Sequence, residues 1–273
     1  MTRISKPEIR HIGITQPVHW LLLGWRDMAQ CGWISLIHGL LLSTSGLILL
    51  AVAHDQFWWL AGAFSGFLMV APILAVGLYC MSRSVEHGRK PDWRLVLNTW
   101  LSWRQHGNGA DGKDWRLVQF GLLLGLAGTG WVMTSAALIT LFTPVPVEKP
   151  MDFLQLVVLS RDSWLFEIWL AIGGMMAAPI FASSAVAIPL LLDRKIGLLQ
   201  AVVTSWEATL ENPLPMACWA GLIMGLTLLG LVTALLGLIA IMPVLGHASW
   251  HAYKDLVDAS AWPERTSPQA GEQ

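Results

Sequence analysis

His247 and His251 stand one helical turn apart, with Asp255 one turn further on. Residues four apart share a helix face, so two imidazoles there can grip one metal ion or flank a haem, with a carboxylate behind to orient a ring. Two ligands are too few for a closed site, and no glutamate follows the zinc-protease spacing. His, Trp and Tyr near a helix end also act as plain amphipathic anchors at a membrane boundary. No cofactor is therefore predicted; a metal or haem held by His247 and His251, with Asp255 behind them, stands as the alternative. His38 is the only ionisable side chain near the middle of a predicted span. It is expected to be a hydrogen-bonded structural histidine, or else to pair with another helix or with the other two histidines. Ser43-Thr44-Ser45 and Ser183-Ser184 are expected to bond back to carbonyls of their own helices.

Other chemistry is sparse. No Ser-His-Asp elbow, phosphate loop or pair of intramembrane acids occurs, so an enzyme is not expected. Buried midplane carboxylates, which an ion-coupled carrier would use, are missing from the confident spans. Cys31, Cys80 and Cys218 are far apart in apolar surroundings and read as small buried hydrophobes. No basic stripe for nucleic acid is present.

The elements that must position these residues are membrane helices. Of 273 residues 55% are hydrophobic and 13% charged, and the mean hydropathy is +0.56. That is an all-α, multi-pass membrane composition. Four runs satisfy the span length outright: Trp33 to Ala53, Phe57 to Met81, Leu117 to Phe142 and Leu165 to Leu192. The run from Met216 to Tyr253 would be about 57 Å long as one helix against a hydrocarbon core of about 30 Å. A turn near Gly230 to Gly237 is therefore predicted, giving six spans, with five as the fallback.

Lysine and arginine orient the bundle. Arg3, Lys6, Arg10 and Arg26 precede the first span, and Arg83, Arg89, Lys90, Arg94, Arg104, Lys113 and Arg116 follow the second. Both stretches are expected to be cytoplasmic, as are both termini. The His54-Asp55-Gln56 turn and the loop from Thr143 to Ser163, with only Lys149 and Arg161 as cations, are expected to face outward. Trp33, Trp58, Trp59, Trp115, Trp164 and Trp219 are read as an aromatic belt.

A proline phrase recurs inside the apolar runs, at Pro72, Pro179 and Pro243. Before each proline hairpin lies an amphipathic segment: Arg26, Asp27 and Gln30 opposite Val18, Leu21, Leu22, Trp25 and Met28; Arg94, Asn98, Ser102 and Gln105 opposite Trp93, Val96, Leu97 and Trp100; Gln200, Thr204, Glu207 and Glu211 opposite Leu199, Val202, Val203, Trp206 and Leu210. Trp25, Trp100 and Trp206 occupy matching places. The unit predicted is an interfacial helix followed by a transmembrane hairpin, repeated three times at about 16–83, 92–192 and 196–257. Residues 1–15 read as a cytoplasmic segment without a cleaved signal, 16–257 as one membrane domain, and 258–273 as a disordered polar tail. Gly62/Gly66, Gly121/Gly125, Gly221/Gly225 and Gly173-Gly174 are read as helix-packing faces.

Gly24-Trp25-Arg26-Asp27, then Ser35-Leu36-Ile37-His38-Gly39-Leu40, and the closing stretch from Gly246 to Val257 resemble the opening and closing signatures of a bacterial integral membrane family known as domain of unknown function 2189. That resemblance implies a bacterial inner-membrane location and no activity. The favoured function is a non-enzymatic assembly or envelope protein whose interfacial helices meet the lipid bilayer, with anionic lipid or a membrane protein as partner. A passive solute channel through the bundle is the alternative, and the metal or haem protein at His247 and His251 the second alternative.

Overall fold

The computed structural model describes residues 7–101, 115–160 and 163–265, with backbone only at 64–65 and 67–73. Arg3, Lys6, Ser102, Arg104, Gln105, Lys113, Arg161, Asp162 and the chain beyond Arg265 lie outside the described residues.

The chain is an all-α bundle. Its helices are α1 (Gln16–Cys31), α2 (Trp33–Ala53), α3 (Phe57–Glu86), α4 (Trp93–Trp100), α5 (Arg116–Phe142), α6 (Pro150–Phe153), α7 (Leu165–Ser184), α8 (Ala187–Asp193), α9 (Leu198–Glu211), α10 (Pro213–Val232) and α11 (Leu238–Leu256). A π-turn, Leu154–Val158, follows α6. Among the described residues four helical segments are long and apolar enough to cross a membrane: α2, α5, α7 continued by α8, and α10. In α5 only Phe120 and Ile139 are buried, while Leu126 and Met133 are 71% and 68% exposed. A helix apolar all round and bare on most sides is stable only in hydrocarbon.

The fourth predicted span is interrupted. Helix α7 stops at Ser184 and α8 begins at Ala187, because Pro189 lacks an N–H and its ring crowds the carbonyl four residues back, at Ala185. The freed Val186 N–H donates to Ser205 Oγ of α9 at 3.1 Å. Pro179 and Pro243 lie inside α7 and α11, and Pro72 falls within α3. After α10 the chain turns through 233–237, with Ala234 and Leu235 at φ 52° and 67°, and α11 packs back on α10.

Three hairpin tips meet at one end of the bundle. Phe57 N–H at the start of α3 donates to Glu148 O at 2.8 Å, the Phe57 and Phe153 rings stack at 5.0 Å, and Ser43 Oγ of α2 donates to Leu235 O at 2.9 Å. Ser43 thus bonds across helices rather than back along its own. Ser184 does bond back, to Ile180 O at 2.8 Å. At the opposite end β1 (Glu8–Ile9) pairs antiparallel with β2 (Val257–Asp258).

The packing order is cyclic: α1 and α2 lie on α11, α4 and α5 on α3, and α9 on α7 and α8. The closest approaches lie where glycine removes the side chain. A Cβ at Gly24 would sit 2.5 Å from Val244 O and 2.7 Å from Ala248 N, and one at Gly39 would sit 2.7 Å from Ile239 Cα. Gly62, Gly66, Gly174, Gly221 and Gly225, read from sequence as packing glycines, have nothing within 4 Å of an added Cβ. Gly173 meets a neighbour, the Trp131 ring.

Two further expectations are corrected. Trp219 is not in a belt: it is buried, edge-on to Trp20 at 5.5 Å. Residues 258–265 are not a free tail. Trp262 is buried, Arg194 bridges to Glu264, and Arg265 N–H donates to Asp193 O at 2.8 Å. The burial of one tryptophan and a row of backbone bonds outweighs the polar composition of the segment.

Candidate functional site

Polar side chains from α1, α2, α3 and α11 converge near the end of the bundle that carries β1 and β2. Ser82 of α3 donates its hydroxyl to Asp27 Oδ2 of α1 at 2.7 Å. Its oxygen therefore accepts from Nδ1–H of His247, also at 2.7 Å. With one proton on the ring, Nε2 of His247 accepts from Ser35 Oγ of α2 at 2.7 Å. His251, one turn along α11, donates Nε2–H to the same Asp27 oxygen at 2.9 Å. The result is a continuous line, Ser35, His247, Ser82, Asp27 and His251, in which every hydrogen has a consistent direction.

Burial decides what this line can do. Ser35 and His247 have no exposed surface and Ser82 has 1%. Hydroxyl, imidazole and carboxylate stand in an order that could pass a proton, but no substrate reaches Ser35. The line instead locks four helices through hydrogen bonds that are strong because water is excluded. Burial raises the pKa of Asp27, yet the bonds from His251 and Ser82 outweigh it, so its carboxyl sits below the ordinary 3.8. Burial, then Asp27 and Cys80, push the Cys31 thiol up to about 12, which makes it an inert hydrophobe.

Each polar residue at the end of α11 engages a different neighbour. Trp250 Nε1–H donates to Glu86 Oε2 at 3.1 Å, and Lys254 pairs with Glu86 Oε1 at 3.1 Å. Asp255 accepts from Gln16 Nε2 at 2.6 Å and Trp20 Nε1 at 2.7 Å, so it braces α1 rather than His251. Tyr253 donates to Asp193 Oδ2 at 2.7 Å. Asp193 is nearly fully buried and also pairs with Arg83 Nε and Arg194 Nε, each at 3.0 Å. One carboxylate thereby joins the ends of α3, α8 and α11. Burial works against the charge of Arg194, but Asp193, Tyr253 and Glu264 outweigh it and raise its pKa.

His247 and His251 do share a face and act together, through Asp27. His247 has both ring nitrogens bonded to serines and offers no lone pair to a metal. No group of three or more His, Cys, Asp or Glu able to hold a metal occurs among the described residues. His38 is fully buried and donates Nδ1–H to Ile34 O of its own helix at 2.9 Å. Its Nε2 packs against Gly77, whose added Cβ would lie 2.5 Å away, and its ring leans on Trp100 at 5.3 Å. Trp25 is exposed, and Trp206 donates to Ser183 Oγ at 2.9 Å.

Asp27, Ser35 and Ser82 were missed in the sequence. Asp27 reads as part of a polar face with Arg26 and Gln30, but it is buried while those two are exposed. The signal was the spacing Trp20, Gly24, Asp27, Cys31, a stripe at helical period carrying a glycine, and all four are buried.

Residues 59–193 match a family described as predicted integral membrane protein, DUF2189. That match covers 135 of the 273 residues, just under half of the chain. No curated protein and no solved structure matches it. The DUF2189 match runs from the start of α3 to the end of α8, and so contains Ser82, Arg83 and Asp193. The opening and closing phrases that carry the resemblance lie outside it and touch each other: Gly24 against Ala248, Asp27 on His251 and Ser35 on His247.

Proposed function

We propose that this protein is a non-enzymatic membrane assembly protein that lays amphipathic helices on the cytoplasmic leaflet of a bacterial inner membrane. The observation that carries this is the outward apolar stripe on α1 and α9. Leu22 and Leu199 are 65% and 76% exposed, and Val18, Trp25, Val203 and Leu210 continue the two rows, while Gly24, Asp27, Ala201 and Ser205 face inward. Stripes of this size need a cover, and the apolar row of α1 beside exposed Arg26 suits an anionic headgroup boundary. The positive-inside rule favours a cytoplasmic position for the end that carries β1 and β2. The sealed Ser35–His247 pair favours a structural over a catalytic part for the buried line. The floor formed by Leu42, Leu235 and Leu238 disfavours a solute channel past the hairpin tips.

Spin labels at single cysteines replacing Leu22, Val203 and Leu210, in vesicles with and without phosphatidylglycerol, test the proposal. Oxygen accessibility should exceed that of a water-soluble relaxer at all three, and the immersion at Leu22, beside Arg26, should deepen with phosphatidylglycerol. Labels freely relaxed from water would sink it.

A further inference from the structure

A cavity of about 370 Å³ lies where the three hairpin tips meet, walled by Leu49 and Leu50 of α2, Leu60 and Ala61 of α3, Phe153 of α6 and Leu231 of α10. Gly46, Phe57, Pro150 and Leu235 complete an almost wholly apolar lining, and the space is half open to the outside. Gly46 is seven residues from the end of α2, so the cavity reaches about 10 Å down from the tips at 1.5 Å per residue.

Three observations point to an occupant. Water does not settle in an apolar space of this kind, because it finds no partners there. A dry void of this size would forfeit the packing contacts of its whole lining, and its volume falls within the usual range of about 300–1,000 Å³ for ligand pockets. The floor is Leu235, a bulky residue held at φ 67°, fixed there by the Ser43 bond to its carbonyl and by packing with Leu42 and Leu238. Non-glycine residues in that backbone region persist only where surrounding structure over-determines them, and they gather at ligand sites. Phe153 of the lining directly precedes the π-turn Leu154–Val158, another local distortion found often at functional sites.

We infer that this cavity binds one acyl chain of a bilayer phospholipid, inserted between the hairpin tips in the leaflet opposite the β1–β2 end. Hydrocarbon is the apolar matter at that depth of a membrane. Lys149, exposed, directly precedes Pro150 of the lining and offers a cation to a phosphate. The inference does not depend on α1 or α9, which are at the other end.

The test uses the full chain in nanodiscs containing a trace of phospholipid with a photoactivatable diazirine near the chain end. After irradiation, peptides carrying Leu49, Leu50 and Phe153 should be labelled several-fold more than the α5 peptides with Leu122, Leu126 and Met133, which meet bulk lipid. Gly46→Leu, filling the cavity, should abolish the excess and leave α5 labelling unchanged. Ala61→Leu on the opposite wall does the same if Gly46→Leu fails to fold. Equal labelling of tips and α5, or an excess that survives in both folded variants, overturns the inference. So does labelling of the tips by a small apolar diazirine but not by the lipid, which would assign a small-molecule occupant.

Discussion

Asp27 is the residue on which most of the buried line depends. It receives hydrogen bonds from Ser82 and His251 and stands one bond removed from His247. Its folded pKa lies below the ordinary 3.8, so the stability it contributes is complete above that value and is lost as pH falls through the folded value. Asp258 behaves alike: bonds from Ser260, then Arg10, bring it down to about 2. The share of stability in mild detergent that Asp27 and Asp258 contribute should therefore be complete above about pH 5 and be lost below about pH 4. Asp27→Asn should lower the plateau by about 1–3 kcal/mol, through weakened bonds to buried partners, and flatten the acid limb. An unchanged acid limb would show that Asp27 is not the titrating group.

At the scale of elements, the helices were legible because span length and proline position are read directly from apolar runs. The predicted span Trp33 to Ala53 coincides with α2, and α5 differs by one residue. The break after Ser184 was not foreseen, since Pro189 falls inside an apolar run that continues past it. Which glycines pack was not legible either. The GxxxG spacing on α3 and α10 faces open space, while isolated Gly24, Gly39, Gly77 and Gly246 meet neighbours at van der Waals contact or closer. Spacing within one helix does not say which face the fold covers. Gly39→Leu should accordingly cost several kcal/mol, because its Cβ would enter the α11 backbone, whereas Gly62→Leu should shift stability by no more than about 0.5 kcal/mol. Comparable losses from both would contradict the α2–α11 approach described above.

For the whole molecule, the convergence of the α2–α3 turn, the Glu148–Phe153 stretch and the 233–237 turn means that one labelling experiment fixes the topology of all three hairpins. In a background with Cys31, Cys80 and Cys218 replaced by alanine, a cysteine at His54 and one at Lys149 should react with an impermeant maleimide from the outside of intact cells. One at Arg10 should react only after lysis. Labelling of the two tips from opposite sides would break the bundle as described. The candidate site was only half legible at this scale: the histidine pair was visible as a spacing, but its carboxylate and serine partners are joined by the fold alone.

Helix α11 has one more consequence, for synthesis. Ser82, Ser35 and Asp27 precede the histidines they bond by 165, 212 and 224 residues. The ribosome delivers α1, α2 and α3 to the bilayer long before their partners exist. Until the last helix arrives, a carboxylate, two hydroxyls and the grooves at Gly24 and Gly39 lie open in the membrane. A chain ending before His247 therefore leaves Asp27 without its bond from His251 and Ser35 without its acceptor on His247.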